Sequence, residues 1–446
     1  RYTGRRYTGR RYPGRRYPGG RSPGGRRPGR RTDVMTPRRI PTPEGRGQRR
    51  RVLVLNHFAL PRSQGGGTRH VELFSRLAGW THLIVAGDRN NNTRERFVSD
   101  SPDFVTVRVP SHESNGLARV AGWLRYAVGA LRVGLRQRDI GVVYASSPHL
   151  VTPLAGWLLA KVHRVPLVLE IRDLWPRSMV ELGYLRAGSR LHRVLVRLER
   201  FLYRAADRIV AVADGWNDHF ASFGVRPEQV ALVTNGAEPA DFVPTVTREN
   251  AQAQLGVDGF VAVYAGAHGP ANGLDLVLDV AKDLTDVTFV LVGDGLDKQR
   301  LVARARDEHL GNVRFCDAVP KRDLGNVFVG CDVGLHTLAQ SELFREAMSP
   351  NKMYDYMAAG LPVITNVGGG LEAQLVEYGC AVLGSPRPGA SGTVALATAL
   401  RTLRDRSVDE RETMSGRARD YVDRHASRTV MAARLEKVLS DVIAAP

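Results

Sequence analysis

Val52-Leu53-Val54-Leu55, a loop through Gly65-Gly66-Gly67, and Val71-Glu72-Leu73-Phe74-Ser75-Arg76-Leu77 open the folded part of this chain. The first run is apolar without alternation and the last repeats its apolar residues at helical spacing, so the unit reads strand, loop, helix. Outward from it, further strands are legible at 83–86, 105–109, 142–145, 167–171, 209–213 and 231–233, with helical patterns between several of them. A second unit of the same kind starts with Val261-Ala262-Val263-Tyr264-Ala265 and a loop over 266–273. Thr288-Phe289-Val290-Leu291-Val292 then runs into Gly293-Asp294-Gly295, and strands follow at 313–315, 333–336, 363–365 and 381–383. Alternation of this kind predicts an α/β fold of two doubly wound, Rossmann-like domains, with the default ligand site in the cleft at the carboxyl ends of both sheets. The expected boundaries are 51–243 for the first domain and 244–427 for the second, with a helix over 428–446 returning to the first. Residues 238–249, which carry Pro239 and Pro244, read as the linker.

The formal charge of +19 misdescribes that body. Residues 1–51 hold 18 arginines against Asp33 and Glu44, so the other 395 residues carry only +3. Charge-driven binding of nucleic acid is therefore no explanation of the body, and no specific nucleic-acid partner is expected. The first 50 residues are a decaying five-residue repeat that begins Arg-Tyr-Thr-Gly-Arg. Gly and Pro in each repeat, with few apolar residues, predict a disordered basic tail. Cys316, Cys331 and Cys380 have no metal-ligand spacing and fit a reducing compartment. No apolar run is long enough to span a bilayer and the arginine-rich start is no signal peptide. A cytoplasmic protein, peripheral on the inner face of the plasma membrane, is the expectation.

Arg345-Glu346-Ala347-Met348-Ser349-Pro350-Asn351-Lys352-Met353-Tyr354-Asp355-Tyr356-Met357-Ala358-Ala359-Gly360-Leu361-Pro362-Val363-Ile364-Thr365 is the stretch richest in chemistry. Pro350 suits the first turn of a helix, Gly360 its stop, and the residues after it a buried strand. Helix-start N–H groups, Lys352 and Arg345 suit a diphosphate, and Asp355, one turn on, suits a ribose diol. An ordinary loop and helix with solvated cations is the competing reading of these residues alone.

Taken together, several motifs make the body, from Arg51 to about Ile443, resemble the retaining nucleotide-sugar glycosyltransferases of the GT-B fold, family four. They are Gly65-Gly66-Gly67-Thr68-Arg69-His70, the 206–212 stretch, Val233-Thr234-Asn235-Gly236, Val292-Gly293-Asp294-Gly295 and Met357-Ala358-Ala359-Gly360-Leu361-Pro362-Val363. Glu170-Ile171-Arg172-Asp173-Leu174-Trp175-Pro176 is similar to the subgroup of bacterial aminosugar and fucosamine transferases of surface-polysaccharide assembly. The resemblance implies that Gly66 and Gly67 approach the donor's distal phosphate, that Gly266, His268 and Gly295 line the donor site, and that Asp355 holds the ribose. It places Arg172 beside the donor sugar, with Asp173 adjacent. The chain departs from the family at Ala347, where a Glu is usual, and at Ala267 and Asn272, where an Arg and a Lys are usual. Arg345 and Lys352 are the residues that could make good the two cations.

Cleaving a sugar–phosphate bond builds charge on the leaving diphosphate, so cations and N–H groups aimed there supply most of the acceleration. The chain has no Asp-x-Asp pair, and neither a metal nor another cofactor is expected. Arg172, Asp173, Arg345 and Lys352 are the catalytic candidates. Asp173 is the only carboxylate placed to act as a nucleophile; a structural salt bridge to Arg172 or a neighbour is the alternative. Arg186, Arg190, Arg193, Arg197, Arg200, Arg204 and Arg208 fall on one helical stripe beside apolar residues, and Arg125, Arg132 and Arg136 share another helix. Such stripes suit an anionic membrane surface, with Arg193, Arg197, Arg200 and Arg204 at its centre, or else a merely solvated face. The function expected is transfer of a sugar from a nucleoside diphosphate, a UDP-sugar, to a lipid-linked or growing glycan acceptor with retention. A nucleotide-sugar 2-epimerase and a non-catalytic binding or scaffold protein are the alternatives.

Overall fold

Strands in this chain are short, apolar and wholly parallel, which requires helices on both faces of each sheet. The computed structural model describes residues 50–64, 67–90, 93–110, 117–147, 149–181, 183–339, 348–386 and 391–444. The tail expected over 1–50 lies outside them except for its last residue. The N-terminal sheet holds β1 (Arg50–Leu55), β2 (Trp80–Gly87), β3 (Phe104–Val107), β4 (Ile140–Ser146), β5 (Leu167–Ile171), β6 (Arg208–Ala211) and β7 (Val230–Leu232), in the order 3-2-1-4-5-6-7. The C-terminal sheet holds β8 (Phe260–Ala265), β9 (Val287–Val292), β10 (Val313–Cys316), β11 (Val333–His336), β12 (Val363–Thr365) and β13 (Ala381–Leu383), in the order 10-9-8-11-12-13. Strand order reverses between β1 and β4, and again between β8 and β11. Those two points are where such sheets open a crevice at their carboxyl ends.

Alternate strand residues feed two different cores, which explains the uninterrupted apolar runs. In the N-terminal lobe Leu53, Leu55, Val143 and Leu169 pack under the helices Leu117–Leu135, Val151–His163 and Arg190–Ala205. Val52, Val54, Val142 and Val168 pack instead against the helix Arg428–Ala444, through Met431, Leu435 and Leu439. The last helix of the chain thus belongs to the core of the first lobe. In the C-terminal lobe Val263 and Val290 face the helices Asn351–Ala359 and Val408–Tyr421. Tyr264 and Leu291 face the helices Asp275–Asp283 and Gly392–Arg404.

The chain crosses between the lobes twice, and the crossings touch. Ala237 N–H donates to the Ala426 carbonyl at 3.1 Å, and a Cβ on Gly236 would sit 1.9 Å from that oxygen. Phe242 is buried beside Phe328 and Tyr356 in the C-terminal core. Part of the expected linker is therefore packed structure, and Arg248–Leu255 is already a helix. The arginine stripe is also shorter than its spacing implied. Its helix begins at Arg190, after the left-handed Gly188 and the N-cap Ser189, and ends at Ala205. Arg186 precedes the helix and Arg208 opens β6, which leaves five arginines, 190 to 204, on the face.

Candidate functional site

The place expected to take the donor is bordered by the loops at the carboxyl ends of β8 and β9 and by the start of the helix Asn351–Ala359. After β9 the chain turns through Gly293, at φ +145°, because a Cβ there would lie 1.9 Å from the Gly266 carbonyl. A Cβ on Gly295 would lie 2.4 Å from the His268 carbonyl, so the two loops pack backbone on backbone. His268 N–H donates to the Asp294 carbonyl at 2.8 Å and the His268 carbonyl accepts from Asp297 at 2.9 Å. The His268 imidazole itself is fully enclosed. Burial, with Lys298 nearby, lowers its pKa. In this conformation it sits beneath the glycine loops, and neither of its ring nitrogens has a hydrogen-bond partner among the described residues.

Lys352 reaches the same place from the first turn of the helix Asn351–Ala359. Its Nζ donates to the Tyr264 hydroxyl at 2.8 Å and to Asn272 Oδ1 at 3.2 Å, and lies 4.2 Å from the Tyr264 ring centre. A Cβ on Gly266 would meet Nζ at 3.3 Å, so the glycine leaves the ammonium beside open backbone. No carboxylate pairs with Lys352 among the described residues. Burial alone therefore carries its pKa down to about 7. Asn272 is a position where the resembled family carries a lysine, and here it is met by a lysine arriving from the helix Asn351–Ala359. Tyr264 and Asn272 were not legible as its partners, because nothing in sequence links residues 80 and more positions apart.

Asp355, one turn further along the same helix, is buried and lies 3.2 Å from Lys321 Nζ without the alignment of a hydrogen bond. Burial raises its pKa, with Lys321 and Arg428 opposing. Arg428, on the last helix, is itself buried and forms an ion pair of 2.5 Å with Glu72, whose other oxygen accepts from Thr68 at 2.7 Å. The helix that follows the Gly65–Gly67 loop is thus tied to the chain's last helix, close to Asp355. Gly67, at φ +63°, closes its turn by accepting from Leu60 N–H at 3.1 Å. Gly66 and Arg345 lie outside the described residues.

Across from this, Glu170 at the end of β5 is fully buried and fully engaged. It accepts from Arg69 Nε at 3.0 Å, from His70 Nε2 at 2.7 Å and from the Ser146 hydroxyl at 2.6 Å. Asn56 Nδ2 donates to His70 Nδ1 at 2.8 Å, and its Oδ1 is held by Phe58 N–H, so His70 must carry its proton on Nε2. Burial keeps that imidazole neutral. Burial would also raise Glu170, but His70 and Arg69 facing it, with Arg172 behind, hold its carboxyl well below the usual range. Arg69 extends the network by donating to the Val233 and Thr234 carbonyls. Asn235 carries it to Ser349, whose hydroxyl accepts from Asn235 N–H at 2.8 Å. This path runs from the glycine-rich loop through the crossover to the residue before Pro350. None of its members carried an individual role in the sequence reading.

Arg172 and Asp173 follow directly. The Arg172 N–H donates to the Ser147 hydroxyl at 2.9 Å, while its guanidinium makes no hydrogen bond or ion pair among the described residues. Asp173 accepts from the Ser178 hydroxyl at 3.0 Å and forms no salt bridge to Arg172. Burial raises its pKa.

With this geometry in view the comparisons are decisive as to class. Residues 64–236 match the glycosyl transferase 4-like domain and residues 259–405 match glycosyl transferases group 1. The chain is a glycosyltransferase of the GT-B type. A probable glycosyltransferase, WbjE, of Pseudomonas aeruginosa is 25% identical over 62% of this chain and 70% of its own. Two solved structures share the fold. HepE of Anabaena, crystallised with UDP and glucose, has a TM-score of 0.63 at 19% identity over 87% of this chain and 99% of its own. Sucrose-phosphate synthase of Thermosynechococcus elongatus has a TM-score of 0.68 at 18% identity over 89% of this chain and all of its own.

Proposed function

We propose that the protein transfers a sugar from a UDP-sugar to a lipid-linked or growing glycan acceptor, with retention and without a metal. The observation that carries the donor half is Lys352, an ammonium without a carboxylate partner, set beside Gly266 and the Gly293–Gly295 turn. A diphosphate there would meet one half-buried cation and a wall of open backbone, the arrangement that stabilises a leaving group as its charge grows. HepE, whose structure holds UDP, supports a uridine donor. Asp355 takes the ribose, supported by its position one turn into the same helix. In the reaction the bond from the anomeric carbon to the diphosphate oxygen breaks. The acceptor oxygen bonds to that carbon from the same face, and the acceptor's proton passes to the departing phosphate. Arg172 and Asp173 border the reacting sugar. Asp173 is committed to the Ser178 hydroxyl, which supports same-face attack over a double displacement. The Glu170–Trp175 segment supports the narrower reading, an aminosugar transferase of surface-polysaccharide assembly.

The membrane half rests on the outer face of the N-terminal lobe. Val120, Leu124 and Val128, Leu158 and Val162, and Leu191, Val194 and Phe201 are exposed on its three helices. Arg193, Arg197 and Arg204 flank them, exposed and without a carboxylate partner among the described residues. Arg200 is exposed too and lies over the Phe223 ring. No helix among the described residues is long and apolar enough to cross a membrane. A basic rim around apolar side chains suits anionic lipid on the cytoplasmic face. The donor half is tested by thermal shift against a panel of UDP-, GDP- and dTDP-sugars. A UDP-sugar should raise the melting temperature of the parent and do so less in Lys352→Met. Stabilisation by none of them would end the donor reading.

A further inference from the structure

Lys352 does not choose its own place. Its Nζ ends between two neutral groups, the Tyr264 hydroxyl and Asn272 Oδ1, and each of these is fixed by the backbone around it. Tyr264, the next to last residue of β8, is fully buried, and its hydroxyl donates to the Ala267 carbonyl at 2.8 Å. A phenol has one proton, and that carbonyl takes it, so a lone pair is what the ammonium meets. One hydroxyl thus fixes both the cation and the loop that follows β8.

Asn272 is held from the segment after β11. Its carbonyl accepts from the Thr337 hydroxyl at 2.8 Å, and the Ala271 carbonyl accepts from Ala339 N–H at 3.0 Å. Gly273, at φ +59°, follows the turn Pro270–Asn272 at a point where a Cβ would lie 2.8 Å from the Leu338 carbonyl. Leu338 is bracketed in turn by the buried Asn366, which accepts from its N–H at 2.9 Å and donates to its carbonyl at 2.8 Å. An ammonium has no acceptor, so the Asn272 amide must present its oxygen. The other titratable groups beside Lys352 are His268 and, at the end of β11, His336. Burial lowers the pKa of both, with the Lys352 charge adding to it, so neither brings a charge of its own. Asp355, on the same helix, is turned to Lys321.

Resting on the donor reading above, we infer that Tyr264 and Asn272 are positioning residues for the transfer, which act through Lys352 by holding its Nζ where the diphosphate arrives and leaving its charge for that ligand. A task of packing alone would be met by Phe at 264 and by an apolar residue at 272. Both groups support the ammonium by hydrogen bonds, and neither answers it with a charge. A carboxylate in either place would answer it, as Glu170 answers Arg69, and would repel the diphosphate. Fixed partners matter for a second reason. A free lysine side chain spreads over many rotamers, and an Nζ pinned beforehand needs no such ordering when the donor binds.

The pH dependence of binding separates positioning from packing. The probe is the methyl ester of UDP at its outer phosphate, which carries the diphosphate without a sugar and without a phosphate that titrates near neutrality. Calorimetric titration of the full chain over a series of pH values should give an affinity that breaks near pH 7 in the parent, where burial has brought Lys352. Tyr264→Phe keeps the ring and removes one support of the ammonium, so its break should lie about one pH unit lower. Asn272→Asp keeps the shape and adds a charge 3.2 Å from Nζ, so its break should lie about one pH unit or more higher. Below pH 7 that variant should also bind roughly 10- to 100-fold more weakly, because the new carboxylate faces the diphosphate. Packing alone gives no displacement in opposite directions, and either variant decides by its own direction if the other fails to fold. A parent that breaks near pH 7, with variants that break at the same pH or are displaced the same way, overturns the proposal and leaves the donor reading standing. A parent that does not bind the probe, or binds it with no break, strikes the donor reading and the proposal with it.

Discussion

Glu170 and Lys352 are both charged side chains withdrawn from water near the carboxyl end of a parallel sheet, and the protein treats them in opposite ways. Glu170 faces three donors, and Arg69 supplies the opposite charge. Lys352 has only a hydroxyl and an amide oxygen, and no charge answers it among the described residues. A buried ion that is fully paired fixes structure, and removing its partner leaves an uncompensated charge. A partly buried ion with neutral partners is poised for a ligand of opposite charge. The comparison separates the protein's framework from its chemistry without reference to any relative.

Glu170→Ala gives the largest effect expected of that contrast. It strands Arg69 in the interior and should cost about 3–5 kcal/mol of stability by chemical denaturation. Lys352→Met should leave stability unchanged or raise it. Equal losses from the two substitutions would erase the distinction. Gly293→Ala comes next, since its Cβ must displace the Gly266 carbonyl. A loss of about 1–3 kcal/mol, with weakened donor binding, is expected from such overpacking.

The titration of Lys352 sharpens the comparison further. Its ordinary pKa is near 10.5 and burial brings it to about 7. Between those values the unfolded chain holds a proton that the folded chain has released. This group's contribution to stability should therefore rise from pH 7 toward pH 10, a slope that Lys352→Met removes. Donor affinity should behave oppositely. Below pH 7 the ammonium is already charged, and above it binding must first take up a proton. Affinity for a UDP-sugar should thus fall by up to roughly tenfold per pH unit above 7. A flat profile in the parent would mean that the cation is not what the donor meets. The smallest effect belongs to the outer face, where Arg197→Gln should weaken sedimentation with phosphatidylglycerol vesicles by about 1 kcal/mol, and less at high salt. Binding that ignores both would leave the stripe a solvated face.

Much of this fold was legible in sequence because parallel strands buried on both faces leave unbroken apolar runs, and every strand expected from such a run is present. The glycine turns were legible for the same local reason. The Glu170 network was hidden, since it joins residues 69, 70, 146 and 170 that share no spacing, and a buried carboxylate in an apolar strand looks the same whether paired or reactive. The burial of His268 was hidden too, because a histidine in a glycine loop reads as exposed, whereas here the loop folds over it.

The central claim is that Lys352 is kept without a charged partner for the donor's diphosphate. Calorimetric titration of UDP at pH 8, in buffers of differing ionisation enthalpy, tests it most directly. The parent should take up close to one proton on binding, and Lys352→Met should bind roughly 10- to 100-fold more weakly with no proton uptake. Equal affinity in the two proteins, with the same proton balance, would contradict the account.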